Sequence, residues 1–317
     1  MPGGYFLKKW FFDILTEEGI YIYFYYAFAD FSVRKAAVLD LIATHPEKKL
    51  SLHESIRIPF PPEITSEPCE DRDELSFGIK WAGNRTKEIS FHFPAADCEL
   101  KCVAEVPSPR GDLEIKRKGR HILWKPILLR GSFRGDIRIG TNEFRISDAP
   151  GYEDYLYSNV PPFGVPVRRL QWGRIHHDCL TIAFTAAAGN SPENTWSKIF
   201  VGRDGRTVEI DGISVKRLSG KDCSELRMNY ADSYMISARA DDLEVELIFR
   251  HEAIASVSRF LDTARYSKGI AAWAIRGYTR DPRGIKFFAR VDVRIKDGSG
   301  DLVFSDVPCV DEYVVFD

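Results

Sequence analysis

The chain has 317 residues, of which 44% are hydrophobic and 28% charged, with 44 Lys and Arg against 46 Asp and Glu. A net charge of −2 excludes a polyanion binder that works by bulk electrostatics, and 13% aromatic content excludes intrinsic disorder. No apolar run reaches the roughly 20 residues of a spanning helix. Asp13 interrupts Trp10-Phe11-Phe12 before a secretory h-region can form, so reduced thiols in a cytoplasm are expected.

Taken in chain order, the elements read as strands. From Ile20 to Tyr26, Tyr21, Tyr23 and Tyr25 face one side and Ile22 and Phe24 the other, as in a strand covered on both faces. Ser32–Thr44 fits either a helix or a strand. Ile89–Phe93, Leu113–Lys116 and Gly131–Ile139 follow. Cys98 and Cys102 share a strand face, but no second pair has ligand spacing, so no metal site is expected. Asn159–Pro166 carries three prolines and a glycine, which break any ladder and divide the chain into units 1–160 and 161–317. Beyond it come strands at Leu180–Thr185, Thr207–Ile210, Leu243–Phe249, Ile270–Tyr278, Phe287–Ile295 and Tyr313–Phe316. Ala253, Ile254, Val257, Phe260, Leu261 and Ala264 recur at helical spacing and predict one helix over His251–Tyr266. Glu17-Glu18-Gly19, Pro109-Arg110-Gly111, Arg203-Asp204-Gly205 and Lys296-Asp297-Gly298 are placed as hairpin turns. The two halves show no precise sequence repeat.

Two stretches carry a resemblance. One is Lys8-Lys9-Trp10-Phe11-Phe12-Asp13 with its following turn and apolar strand. The other is Phe133 to Ser158, followed by Trp172-Gly173-Arg174. In order and spacing they resemble the lipocalin-like carotenoid 1,2-hydratase (hydroxyneurosporene synthase) superfamily, whose members carry Gly-Tyr-His-Asp-His-x-Trp-Gly at the second stretch. Gly151, Tyr152 and Asp154 match that motif; Glu153, Tyr155, Tyr157 and Ser158 replace its two His, its Trp and its last Gly. The resemblance implies an all-β fold of two tandem lipocalin-like antiparallel β-barrels, with bulky apolar molecules as substrates or ligands. The missing second His and Trp argue against carotenoid hydration itself.

The densest polar and aromatic constellation is Asp154, Glu153 and Tyr155, the expected catalytic residues, with Tyr157 beside them. In a strand, Glu153, Tyr155 and Tyr157 share one face and Asp154 takes the other. A carboxylic acid whose pKa is raised by apolar walls can donate a proton to a polyene or enol, and aromatic faces can stabilise the cation. Trp172, Arg174 and His176 share a second strand face, and Tyr23 and Tyr25 a third; these five and Tyr157 are the expected substrate contacts. Each has a plainer reading as packing. The basic residues from Lys116 to Arg134 read as a solvated hairpin rather than a nucleic-acid surface. No P-loop, G-x-S-x-G elbow or dinucleotide fingerprint is present, so no cofactor is expected. The resulting expectation is a cofactor-independent cyclase, isomerase or hydratase of an isoprenoid, polyene or polyketide. The alternative is a carrier of lipids or other hydrophobic small molecules, with peripheral membrane contact left open.

Overall fold

The structure is a computed structural model; it describes all residues except 1–4, 31–34, 69–74, 76–77, 84, 162–163, 179, 192–193, 260–281, 299 and 317. The described residues form antiparallel β-strands and no α-helix. They divide into two compact units, 1–161 with 202–207, and 162–201 with 208–317.

The first sheet is built from β1 (Phe6–Leu15), β2 (Tyr21–Asp30), β3 (Lys35–His45), β4 (Leu50–Arg57), β5 (Ile79–Trp81), β6 (Thr86–Phe93), β7 (Ala96–Ala104), β8 (Leu113–Arg117), β9 (Arg120–Ile139) and β10 (Asn142–Ser158). Its order is β4-β3-β2-β1-β10-β9-β7-β6-β5, with β8 also on β9. The second is built from β11 (Arg169–His177), β12 (Leu180–Ala188), β13 (Thr195–Arg203), β14 (Arg206–Asp211), β15 (Ser214–Cys223), β16 (Met228–Ala240), β17 (Leu243–Arg259), β18 (Arg283–Asp297) and β19 (Gly300–Val315). Its order, β14-β13-β12-β11-β19-β18-β17-β16-β15, repeats the first path: the opening strand lies beside the closing one, and hairpins run outward on both sides.

Period-2 alternation gives each sheet one apolar face, and each sheet curls over that face. In the first, the Phe24 ring of β2 lies 5.9 Å from the Phe91 ring of β6, although four strands separate β2 from β6 within the sheet. In the second, Phe184 of β12 meets Phe249 of β17 at 5.4 Å across three intervening strands. The expected closed barrels are not formed: β4 and β5 remain edges of the first sheet, β14 and β15 of the second. Between β4 and β5 the chain carries Pro59, Pro61, Pro62 and Pro68, which supply no backbone donor for a closing ladder.

The helix expected over His251–Tyr266 is absent from its described part, since His251–Arg259 continues β17. Two register shifts against β18, at His251/Ala253 and Ile254/Ser256, insert extra residues into the ladder. These bulges lengthen the same-face spacing from two to three, as from His251 to Ile254 to Val257, which mimics a helix in sequence. Of residues 32–44, those described are strand. Pro109-Arg110-Gly111 is not a hairpin tip: it lies in the loop between β7 and β8, which pair with β9 and not with each other. The strand expected at Ile270–Tyr278 lies outside the described residues. No helix among the described residues is long and apolar enough to cross a membrane.

Candidate functional site

Strand β10 lies at the centre of the first sheet, paired along both edges with β1 and β9, and from Gly151 to Tyr155 it is buried on both faces. At Gly151, across from Ile14 of β1, a Cβ would stand 2.4 Å from the Asp13 carbonyl oxygen and 2.7 Å from the Phe133 ring. Only glycine fits there without displacing backbone. Register shifts flank Glu153 on both sides, against β9.

On the core face, Glu153 stands opposite Phe12, and Tyr155 opposite Trp10. Glu153 forms an ion pair with Lys87 of β6, both side chains being almost wholly buried. The Lys87 ammonium also lies 4.9 Å from the Trp81 ring centre and 5.6 Å from that of Phe12. Such a pair is compensated only because Coulomb attraction, hydrogen bonding and aromatic faces replace lost water. Nearby, burial and then the Glu153 charge push the Cys102 thiol upward. The Tyr155 ring packs 5.0 Å from Trp10, and the Tyr157 hydroxyl donates to the Ser66 carbonyl at 3.0 Å.

On the opposite face, Asp154 stands across from Phe11, and Phe11 across from Tyr25. Asp154 is buried and accepts a hydrogen bond from Trp124 Nε1 at 2.9 Å. Burial pushes its carboxyl up to about 7, outweighing the opposite pull of the Trp124 bond, Lys9 and Tyr152. The same face carries Asp13, which accepts from the Tyr21 hydroxyl at 3.2 Å, and Tyr23, whose ring lies 5.2 Å from Tyr21 and 5.9 Å from Phe11. The Lys9 ammonium sits 4.3 Å over the Tyr25 ring.

The structure thus brings Asp154, Tyr23 and Tyr25 onto one face, and Glu153, Tyr155 and Tyr157 onto the other. Trp172, Arg174 and His176 lie on β11 in the second unit, on the face away from its core residue Ile175. Arg174 is buried, the Lys286 ammonium lies 5.2 Å from the Trp172 ring, and His176 Nδ1 is 2.7 Å from Thr181 Oγ1. The sequence reading missed Lys87 and Trp124, the direct partners of the two acids. They lie 66 and 30 residues away in the chain, and no local pattern marks them. It also missed Tyr234, His251 and Asp311. The alternation Val245, Leu247, Phe249 extended by one step to His251 would have flagged that histidine as inward-facing. Among the described residues, no group of three His, Cys, Asp or Glu is placed to hold a metal ion.

No family model matches the chain, and no curated protein matches it. Solved structures do. CghA matches with a TM-score of 0.64 and 12% identity, over 98% of this chain and 88% of that one. Its structure with Sch210972 gives 0.62 and 13% over the same shares. A structure of AttH type from Nitrosomonas europaea gives 0.59 and 9%, over 98% and 93%. Kievitone hydratase from Nectria haematococca gives 0.55 and 11%, over 99% and 89%. They share this fold. At such identities the likeness concerns the fold alone, and it extends over nearly the whole chain.

Proposed function

We propose that the protein is an enzyme of hydratase or cyclase type acting on a bulky apolar small molecule, an isoprenoid, polyene or polyketide, with Asp154 as proton donor. The observation that carries this reading is the Asp154 carboxyl, buried, hydrogen-bonded by an indole N–H and raised to about 7. A carboxylic acid poised near neutrality retains a proton to give and is basic enough to take one back. Trp124 Nε1–H stabilises the carboxylate left by transfer to an alkene or enol, and the Tyr23 and Tyr25 rings on the same face favour a developing cation. Holding a flexible chain in one reactive fold supplies the rest of the acceleration. The reaction needs no cofactor in this scheme. Support comes from fold neighbours that include a protein named as a hydratase and one solved with a small molecule.

A second reading, a non-catalytic carrier, draws on one observation. Tyr155 and Tyr157, which replace the motif's His and Trp, are engaged in packing with Trp10 and bonding to Ser66. Native mass spectrometry of protein purified from its own cells identifies the co-purifying molecule, and turnover is then assayed with it. The enzyme reading expects Asp154→Asn to retain binding and lose about 100-fold or more in turnover, with wild-type activity falling above pH 7. Unchanged turnover in Asp154→Asn removes Asp154 from the mechanism, and a wild-type chain that binds without forming product establishes the carrier.

A further inference from the structure

We propose that the first unit carries a small-molecule site where β3 begins and β4 ends, apart from Asp154, and that it takes an amphiphilic carboxylate: an apolar body ending in one anionic carboxyl group.

A cleft of about 420 Å³ lies at this place, lined by Lys35, Ala37, Arg57, Ile58, Pro59 and Phe60. Ordinary small-molecule sites occupy roughly 300–1,000 Å³. The hollow follows from the local sequence. Ala37 stands on the core face of β3, across from Phe28 and on the same face as Leu39 and Leu41. Its methyl group fills little of the space that a leucine fills further along the strand. Past Arg57 the β3–β4 ladder runs out. The Ile58 N–H donates to the Ala37 carbonyl at 3.1 Å, and Pro59 has no N–H to continue the pairing. Phe60 is then held edge-on by Phe6 at 6.4 Å and by Phe28 at 6.0 Å. Ala37 and Ile58 are buried and form the floor, and the half-buried Phe60 ring is a wall fixed from behind.

The charges on the lining have one sign. The Lys35 ammonium lies 5.0 Å from the Phe60 ring centre and 3.8 Å from the carboxylate of Asp30, its cross-strand partner on β2. Arg57 is exposed, and among the described residues no carboxylate stands within ion-pair distance of its guanidinium. Asp30 offsets Lys35, which leaves one uncompensated cation at the rim of an apolar cleft.

That combination defines the ligand. A guanidinium presents parallel N–H donors that match the two oxygens of a carboxylate. The apolar floor and wall exclude water on one side, which strengthens the pair relative to two side chains in open solvent. A monoanion balances Arg57; a dianionic phosphate leaves charge over, and a neutral molecule gains only the apolar contact. Ala37 and Ile58 belong to the core face of the sheet, whereas Asp154 lies on the opposite face. The site shares no residue with the proposed reaction and does not depend on it.

The test is calorimetric titration of the full-length chain at pH 8 with decanoate, 1-decanol and decyl phosphate, which share an alkyl chain and differ in head-group charge. Decanoate is expected to bind at least about tenfold more tightly than 1-decanol, and no less tightly than decyl phosphate. Arg57→Gln should bring decanoate down to the level of 1-decanol. Ala37→Leu, which fills the hollow, should weaken all three at least about tenfold. Arg57→Gln changes an exposed side chain and carries the test alone if Ala37→Leu does not fold. Asp154→Asn should leave the decanoate affinity unchanged, which separates this site from the proposed active site. Equal affinity for decanoate and 1-decanol, binding of neither, tighter binding of decyl phosphate, a preference that survives Arg57→Gln, affinities untouched by a folded Ala37→Leu, or loss of decanoate binding in Asp154→Asn would overturn the proposal.

Discussion

At the scale of single residues, two adjacent acids illustrate how opposite faces of one strand create opposite chemistry. Folding holds Asp154 in its neutral form, because burial raises the carboxyl from 3.8 to about 7. Between those values the folded chain keeps a proton that the unfolded chain has released, so stability declines as pH rises and the full penalty stands above about 7. The difference is worth about 4 kcal/mol. Asp154→Asn keeps an acceptor for Trp124 and carries no such penalty. It is expected to be more stable than wild type by up to about 4 kcal/mol at pH 8 and equal to it below pH 4, measured by urea unfolding. Glu153 is instead held beside a cation. Lys87→Met strands a carboxylate in the core and should cost about 3–5 kcal/mol by the same measurement. The double variant Lys87→Met/Glu153→Gln should recover most of that loss, since neither charge is then left alone.

At the scale of elements, strands with a clean alternation were legible and strands with bulges were not. Leu243 to Phe249 reads directly as half-buried strand; past His251 two extra residues break the ladder, and the same strand reads as helix. Edge position has its own consequences. β15 ends its sheet, is exposed over nine of its ten residues and carries Leu218 outward at 47% exposure. Lys216, Arg217 and Lys221 along it are the charges that discourage pairing with another chain. With few buried contacts to hold it, β15 should open locally at lower free energy than the central strands. Amide hydrogen exchange should therefore be faster in β15 than in β17, β18 and β19, and equal protection would mean that β15 is covered in solution.

At the scale of the whole molecule, the repeated sheet path makes sequence-distant strands neighbours. Leu7 stands across from Ser158 in one unit, and Arg169 from Val315 in the other, so the opening and closing strands of each sheet meet only after most of that unit has been made. Loop closure over such separations must precede the contacts that reward it. Refolding from urea is expected on the order of seconds or slower, with a single-residue change such as Lys87→Met affecting unfolding more than folding if the pair forms late. Stopped-flow fluorescence from the six tryptophans reads both limbs. A millisecond refolding phase carrying the full amplitude would contradict this view.

Residues next to one another in the chain announced the strands, the turn after β1, the all-β class and the division of Glu153, Tyr155 and Tyr157 from Asp154, because side-chain alternation is a local property of extended backbone. Distant pairing decided everything that gives those side chains a chemical character. Lys87 reaches Glu153, Trp124 reaches Asp154, and Tyr234 and His251 converge on Asp311 only when a sheet curls over its own face. The electrostatic environment of a buried group is set by atoms a few ångströms away in space, and a linear pattern holds no record of which those are.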